Sequence, residues 1–375
     1  MLKDSELTEE NKLRREAAEA APVMLAEEHI EAELKSKPKS LLNLAVRYLL
    51  PLALTVVLVW YMFNNVPFDK AVEIIRHGAN YWWILLAMVI SVFSHVFRAA
   101  RWRLQLKALG IKVPFMALCC SIFGCYALNL VFPRLGEVWR CTYVTKLGKA
   151  QFTTVLGSMV SDRLTDTLSV LLLVLLTVIV ANSALRDFLS KYSIGQGMID
   201  TFENPWIWVA GVVTVLLVIC VFYFGRNTVF VKKLMGWLRE LWVGFSTIWQ
   251  MKGRLLFVAF TVLIWGAYFF QLYVAFFAFG FTRDLCHEPG LAWGFTPCLV
   301  AFVLSSIGMA IPSNGGLGPW NIAIIFGLAV YGISEDDGTA FSWLQWIGQT
   351  VMLIILGIYT MIYISRSKHQ NKVKS

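Results

Sequence analysis

The sequence reads Asn129-Leu-Val-Phe-Pro133-Arg134-Leu-Gly136-Glu137-Val-Trp-Arg140 where a long apolar run is broken, and Asp162-Arg163-Leu-Thr-Asp166 one apolar segment later. A charged side chain near a bilayer centre costs about 2.5–3.5 kcal/mol, so it is retained mainly where it has a partner or a function. We therefore predict that the two clusters form the functional site. The alternative interpretation is that the first cluster is solvated at headgroup level and that Asp162–Arg163 is an ordinary helix-end pair.

Composition independently indicates a membrane protein. Of the 375 residues, 58% are hydrophobic and only 15% are charged, with a mean hydropathy of +0.63. This leaves too little polar material to coat a soluble domain of that length, so we predict an all-α polytopic membrane protein. The net charge of +9 does not indicate nucleic acid, because the basic residues fall mostly in short loops beside apolar segments.

The loop charges predict about six full transmembrane helices and two re-entrant helical hairpins. The full spans are expected at 41–63, 81–97, 155–181, 205–224, 255–280 and 341–364. The first hairpin is predicted over 114–132 with a half-helix after Pro133, because the segment beyond it is basic. A basic loop belongs on the cytoplasmic side, so the chain must turn back. The second hairpin is predicted over 291–311 and 320–331, between two loops that carry no basic excess.

These elements form two halves, 81–181 and 255–365. Each half consists of a transmembrane helix, a re-entrant hairpin and a second transmembrane helix. The first hairpin is expected to enter from the cytoplasm and the second from outside, which is the inverted-topology repeat of many transporters. The cytoplasmic assignment depends most on a basic run without acids, which comprises Arg98, Arg101, Arg103, Lys107 and Lys112. A bundle of eight full spans is the alternative.

The remaining segments are read from composition. Residues 1–40 form a charged extension that we expect to be cytoplasmic. It is a candidate binding segment for a cytoplasmic partner. Residues 41–366 form the transmembrane domain, with an amphipathic interfacial connector at 227–252. Residues 367–375 are a basic cytoplasmic tail. We therefore expect a multi-pass cell membrane protein, in the inner membrane if the source is Gram-negative, with both termini inside; the oligomeric state is not indicated.

The pattern Asn-x-x-x-Pro-Arg-x-Gly-Glu-x-x-Arg, followed by acidic-Arg-x-x-Asp and by the break at 311–319, resembles the flippase-like lysylphosphatidylglycerol synthase transmembrane family. The resemblance covers roughly residues 40–365. It implies transport of an aminoacylated phospholipid between leaflets. Two departures are present: Asp162 stands where Glu is more usual, and the soluble aminoacyl-transferase domain of full-length synthases is missing, which argues against lipid synthesis.

The second break, Ile311-Pro312-Ser-Asn-Gly315-Gly316-Leu-Gly318-Pro319, predicts an anion site. Ser313 and Asn314 are expected to cap the following half-helix, which Pro319 begins. Its N-terminus would then face the membrane interior, where it favours negative charge. Arg134 and Arg140 flank the half-helix of the first break and suit a phosphate. The alternative role for the glycines is close helix packing.

The acidic pair lies on one helix. Asp162 and Asp166 share a face at i,i+4, and Arg163 can reach Asp166 at i,i+3. Because three charges at the membrane midplane would be costly, we expect them at a shallow depth, paired and facing a wet cavity, with Arg134 or Arg140 as partner. The predicted headgroup site therefore comprises Asn129, Arg134, Glu137, Arg140, Asp162, Arg163, Asp166, Ser313, Asn314, Gly315 and Gly316.

Two classes of function compete. The first is a flippase or scramblase that moves a polar, phosphate-bearing lipid. The second is an integral membrane enzyme or accessory subunit for lipid-linked glycosyl or acyl transfer, which would require a nucleophile beside a base or a metal site. The sequence has no H-x-x-x-x-D or D-x-D motif, and its seven cysteines include no C-x-x-C pair. We therefore favour transport, expect no catalytic residues, metal or cofactor, and expect membrane lipids as the partners.

Overall fold

A computed structural model describes residues 68–190 except Pro133, residue 251, residues 253–373 except Pro312, and the single positions 205, 206, 209 and 213. These residues belong to one compact unit, Thr55–Ser375. Apart from single positions, the predicted extension 1–40, the spans 41–63 and 205–224, and the connector 227–252 lie outside the described residues.

The described part of the chain is helical and contains no strand. Its α-helices are α1 (Phe68–Gly78), α2 (Tyr81–Ala108), α3 (Phe115–Val131), α4 (Leu135–Gly148), α5 (Phe152–Val180), α6 (Asn182–Ser190), α7 (Arg254–Ala275), α8 (Gly280–Leu285), α9 (Phe295–Gly308), α10 (Pro319–Ala329) and α11 (Glu335–Val373). Short 3-10 turns cover Phe276–Ala278, Pro289–Leu291 and Asn314–Gly316. The predicted all-α class is confirmed.

Five of these segments are long and apolar enough to cross a membrane. They are Tyr81–Ala108, Phe152–Val180, Arg254–Ala278, Pro289–Gly308 and Glu335–Ser367. A span needs about 20 apolar residues to cross the hydrocarbon layer, which is about 30 Å thick. Together with the composition, these segments make the chain a multi-pass membrane protein.

The helices on either side of each break run antiparallel and in close contact. A Cβ atom at Gly136 of α4 would overlap the backbone carbonyl oxygen of Cys125 in α3. In the second pair, a Cβ at Gly308 would lie 2.7 Å from the carbonyl oxygen of Pro319. The chain therefore reverses direction at both breaks, and glycine permits the close approach.

The returning helices of the two pairs are short. The first, α4, has 14 residues and the second, α10, has 11. At 1.5 Å per residue they extend about 21 and 17 Å, which is less than the hydrocarbon thickness of about 30 Å. The returning helices are therefore shorter than a full span, whereas the outgoing arm of the second pair belongs to Pro289–Gly308, which is long enough to cross.

The two hairpins pack at opposite ends of the long helix α2. One apolar cluster joins the beginning of α2, including Ile84 and Ala87, to α9, α10 and the beginning of α11. A second cluster joins the end of α2, including Trp102 and Leu106, to α3, α4 and the beginning of α5. Side-chain packing therefore holds the two hairpins at opposite ends of α2.

The tips of the two hairpins contact each other. The Asn314 side-chain amide donates a hydrogen bond to the carbonyl oxygen of Val131 at 3.2 Å. Gly315 approaches Leu130 so closely that a Cβ at that glycine would lie 2.6 Å from a leucine methyl carbon. The two sequence breaks, which are far apart in the chain, are therefore neighbours in the fold.

Candidate functional site

A buried ion cluster joins α2 to α5. The Arg98 guanidinium donates to Asp166 at 2.6 Å and lies 3.4 Å from Asp162. Arg101 Nη2 lies 2.7 Å from a carboxylate oxygen of Asp162 and 2.7 Å from one of Asp166. Each arginine therefore contacts both acids. This is possible because the i,i+4 spacing places Asp162 and Asp166 on the same face of α5, as predicted.

The first hairpin contributes two further charges from α4. Glu137 pairs with Arg163 at 2.6 Å. Arg140 Nη2 lies 3.8 Å from Asp162, and the Arg140 guanidinium lies over the ring of Trp102, 4.2 Å from its centroid. Arg163 also approaches Asp166 to 3.9 Å. Five of the predicted site residues, Glu137, Arg140, Asp162, Arg163 and Asp166, therefore come together.

The cluster is more deeply buried than the sequence predicts. Arg101, Arg140 and Asp162 are each 0% exposed. The expected wet cavity does not reach Asp162, because Arg98 and Arg101 cover it. Arg163 and Glu137, at the edge of the cluster, keep 35% and 24% side-chain exposure. The same contacts correct the interpretation of the basic run: Arg98 and Arg101 are helical residues inside the bundle, and not markers of a cytoplasmic loop.

Helix α7 completes the surroundings of the two α2 arginines. Arg101 donates to the Thr261 hydroxyl oxygen at 3.2 Å and lies over the ring of Phe257. Arg98 lies 3.5 Å from the hydroxyl of Tyr268. Polar and aromatic partners of this kind compensate charges that are removed from water.

The tips of the two hairpins are held by backbone hydrogen bonds. The Asn129 side-chain oxygen accepts from the Gly136 amide at 2.9 Å, which closes the first turn. The Trp346 indole N–H on α11 donates to the Gly315 carbonyl oxygen at 3.0 Å. Asn129 and Gly315, both predicted to bind a headgroup, therefore have structural roles at the junction.

The second tip is organised for packing. Gly315 and Gly316 have φ angles of 59° and 81°, which glycine adopts without strain. A Cβ at Gly316 would overlap the Met309 sulfur. These observations favour the close-packing alternative for the glycines over the anion site.

The expected cap on the second half-helix is also different. Pro319 does begin α10, as predicted, but its N-cap is Gly318, whose amide donates to the Asn321 side-chain oxygen at 3.2 Å. Ser313 instead donates to the Ile311 carbonyl oxygen. The prediction that Ser313 and Asn314 cap α10 is therefore wrong, because Asn314 reaches across to Val131.

Arg134 occupies a separate position. It is exposed, adopts a left-handed conformation with φ of 65°, and stands immediately before α4. Among the described residues, no acid lies within ion-pair distance of it. Arg140, one and a half turns into the helix, is the arginine of this hairpin that reaches Asp162.

The sequence analysis missed a polar face on α2. Ser91, His95, Arg98, Arg101 and Gln105 recur every three or four residues, and all are buried. Ser91 accepts from the Gln349 amide at 3.0 Å, and Gln349 in turn accepts from Gln271. The spacing was the available signal, because such a stripe within an apolar span indicates a face turned toward protein.

An apolar groove of about 1020 Å³ lies beside the cluster, between α5, α7 and α9. Its walls include Leu172, Trp265 and Phe295. Thr261 and Phe257, which contact Arg101, also line it. The groove therefore reaches the surroundings of the ion cluster.

The cluster's chemistry is electrostatic. Among the described residues, no group of three or more His, Cys, Asp or Glu side chains is placed to hold a metal ion. The cluster contains guanidinium and carboxylate groups, and guanidinium is the side chain best suited to a phosphate or carboxylate group. The arrangement can therefore bind an anionic group or exchange one ion pair for another.

No match to the chain is found among curated proteins. A family model described as lysylphosphatidylglycerol synthase TM region matches residues 48–357, which include both hairpins and the whole ion cluster. The match covers most of the sequence and agrees with the resemblance carried by the two breaks. The chain therefore belongs to the lysylphosphatidylglycerol synthase transmembrane-region family.

Proposed function

We propose that this protein moves a polar, phosphate-bearing lipid between the two leaflets of a membrane. Membership of the family ties the chain to lipid modification or transport. The observation that carries the finer proposal is the ion cluster of Arg98, Arg101, Asp162 and Asp166 inside a bundle of membrane-spanning helices. Ionisable residues at such positions typically mark substrate or ion pathways.

The arrangement of the hairpins supports transport. Two helical pairs packed at opposite ends of α2, with their tips in contact, support our proposal that re-entrant hairpins enter from opposite leaflets. Transporters with inverted repeats place their substrate site where discontinuous helices meet near the midplane. In this proposal the first hairpin enters from the cytoplasm and the second from outside.

The groove beside the cluster supports a lipid substrate. A polar lipid needs a polar environment for its headgroup and an apolar one for its acyl chains. The ion cluster provides the first, and the apolar walls around Trp265 provide the second. Thr261 belongs to both, because it lines the groove and accepts from Arg101.

The test is lipid movement in proteoliposomes with fluorescent phosphatidylglycerol, aminoacylated phosphatidylglycerol and phosphatidylcholine, at equal protein incorporation. Asp166→Asn should reduce movement of the preferred lipid, because it alters the pairing of Arg98 and Arg101. The control is Arg103→Gln, since Arg103 lies over Phe115 outside the cluster. Equal movement of all three lipids, unaffected by Asp166→Asn, would exclude the cluster from transport.

A second variant tests the groove. Gly266 lines it and has open space around its Cβ position, so Gly266→Leu should narrow the groove and slow lipid movement. Gly157→Leu is the matched control, because Gly157 also has open space but does not line the groove. If Gly266→Leu moves lipid as fast as Gly157→Leu and the unsubstituted protein, the groove has no role in transport. Modification of a lipid by the purified protein would instead favour the enzyme alternative.

A further inference from the structure

His95 on α2 is a buried histidine that the proposed transport site leaves unused. It is 2% exposed, and neither of its ring nitrogens has a hydrogen-bond partner among the described residues. A neutral imidazole carries one N–H donor and one acceptor nitrogen, so two hydrogen-bonding groups are buried here without compensation. Native proteins rarely bury such groups unpaired unless the position has a function.

Aromatic rings of α3 enclose the imidazole. The Tyr126 ring is tilted by 45° to it, with 4.6 Å between the ring centroids. The Phe123 ring meets it edge to face at 6.4 Å. These contacts hold α2 against the outgoing arm of the first hairpin, but a ring face is only a weak acceptor for an N–H group. The packing of the imidazole is therefore complete, whereas its hydrogen bonding is not.

His95 stands one turn from the ion cluster. It precedes Arg98 by three residues, so the two side chains lie on the same face of α2. Arg98 already engages both acids, Asp166 at 2.6 Å and Asp162 at 3.4 Å. His95 itself forms no hydrogen bond to any described acid. A proton on His95 would therefore place a second positive charge beside Arg98 with no acid to balance it.

The helices packed around this part of α2 supply no spare negative charge. Among the described residues, the titratable or charged groups that surround His95 and Arg98 are Tyr126 and Cys125 on α3, Asp162, Arg163 and Asp166 on α5, and Tyr268 on α7. The α11 side chain that reaches the same face is the uncharged Gln349, which donates to Ser91 at 3.0 Å. The buried conformation therefore holds His95 in its neutral form.

We infer that His95 is a proton-binding site whose occupancy is linked to the opening of the ion cluster. The inference rests on the proposed transport function, since a lipid headgroup cannot reach Arg101 or Asp162 while both are fully buried. When the cluster opens, water reaches the imidazole, and its acceptor nitrogen takes up a proton from that water. The proton is released again when Arg98 returns to the acids.

The pH dependence follows from this linkage. A hydrated histidine takes up a proton below about pH 6.5, whereas the buried conformation excludes it. Acidification through this range therefore favours the open conformation. Above it, His95 is neutral in both conformations, and pH has no effect on opening.

The experiment measures the labelling rate of a native buried thiol. Cys125 directly precedes Tyr126 and is 0% exposed, and it is kept as the single cysteine of the full chain in phosphatidylcholine nanodiscs. Its reaction with N-ethylmaleimide reports how often the surroundings of His95 open. Because the thiolate fraction falls with pH, each rate is divided by that of the same protein with His95→Gln at the same pH. Glutamine keeps a hydrogen-bonding side chain but takes up no proton.

We expect this labelling ratio to be about one at pH 8 and about five or more at pH 5.5, within the tenfold per pH unit that one linked proton permits. The matched control is His287→Gln, because His287 is an exposed histidine beyond α8. It should leave the ratio unchanged at every pH. Thermal unfolding at pH 8 shows whether each variant is folded.

A second thiol keeps the test valid if His95→Gln is poorly folded. Cys298 on α9 is also 0% exposed but packs in the other apolar cluster. In the protein that retains His95, the rate at a single Cys125 divided by the rate at a single Cys298 should rise about fivefold or more between pH 8 and pH 5.5. A constant quotient would reject the inference.

The inference is also overturned if the labelling ratio stays at one down to pH 5.5, or if His287→Gln abolishes the acid effect as His95→Gln does. The proposed function is tested separately by lipid movement at the same two pH values. Acid-dependent labelling that requires His95, without lipid movement, would keep the proton site and reject transport. Lipid movement in a protein whose labelling does not depend on His95 would keep transport and reject the proton site.

Discussion

The first hairpin, α3–α4, and the second, α9–α10, share a geometry but differ in chemistry. Each is an antiparallel helical pair whose close contact depends on glycine. The first carries Arg134, Glu137, Arg140 and Lys146, whereas the sequence from 289 to 334 contains no charged residue. The comparison indicates that close packing forms the hairpins and that charge gives one of them a site.

The difference also explains how the halves cooperate. The second hairpin fills its end of the bundle with apolar side chains, and its tip binds the first through Asn314. The first hairpin depends on α2 and α5 for the partners of its charged residues. We therefore interpret the second hairpin as a support for the first.

The largest expected effect is an all-or-none difference in accessibility between the hairpin ends. In a cysteine-free background, Lys112→Cys and Gln151→Cys, at the ends of the first hairpin, should be labelled by an impermeant maleimide only from the cytoplasmic side. Glu288→Cys and Glu335→Cys, at the ends of the second, should be labelled only from outside. All four positions are exposed. Labelling of Lys112→Cys and Gln151→Cys from opposite sides would mean that the first hairpin is not re-entrant.

Introduced cysteines are required because the native ones are poor reporters. Cys141 and Cys286, on which the same prediction could be tested, are 0% and 6% exposed. Burial also raises the pKa of Cys286 to about 11, so little thiolate is available to react with maleimide at neutral pH. The unmodified cysteine-free protein provides the background signal.

A large loss of stability is expected from Asp162→Asn. Breaking a buried ion pair typically costs about 3–5 kcal/mol, because the partner charges remain buried without compensation. The double variant Arg101→Gln, Asp162→Asn should lose less stability than Asp162→Asn alone. The two substitutions together remove one positive and one negative charge, so fewer buried charges are left without compensation. The free energy of unfolding in detergent measures both. A loss below about 1 kcal/mol would show that the cluster is hydrated in solution.

A smaller loss of stability is expected when a methyl group is added to a glycine in either hairpin. Gly136→Ala and Gly327→Ala would each press a Cβ against backbone atoms of the facing helix, for which overpacking costs of about 1–3 kcal/mol are typical. Gly157→Ala has open space and should be neutral or stabilising. Thermal unfolding compares the three. If only one hairpin responds, the two do not share a packing mechanism.

The smallest effect is expected at the Lys70–Asp336 pair between α1 and α11. The two charged atoms are 3.4 Å apart, but the side chains are 66% and 33% exposed. Exposed pairs contribute about 0–1 kcal/mol, so Lys70→Gln should change the free energy of unfolding by no more than that. High salt should reduce the difference further. A loss comparable to that of Asp162→Asn would remove the contrast between surface and buried pairs.

Much of the fold could be predicted because its signals are local. Apolar length gives the spans, and Pro133 and the 311–319 stretch give the two breaks. The candidate charges were also recognisable, since Glu137, Arg140, Asp162, Arg163 and Asp166 stand in apolar surroundings. The partners of these charged residues were less predictable. Arg98 and Arg101 lie more than 60 positions before Asp162, and their sequence is equally typical of the basic end of a transmembrane helix.

The sequence by itself determined the all-α membrane class, the two breaks and the spacing that places Asp162 and Asp166 on one face. Only the tertiary structure decided that Arg98 and Arg101 hold those acids, that Arg140 and not Arg134 reaches them, and that the tips of the hairpins meet. The physical reason is that helix formation and membrane insertion depend on neighbouring residues and hydrophobicity, whereas the pairing of buried charges depends on which helix faces pack together.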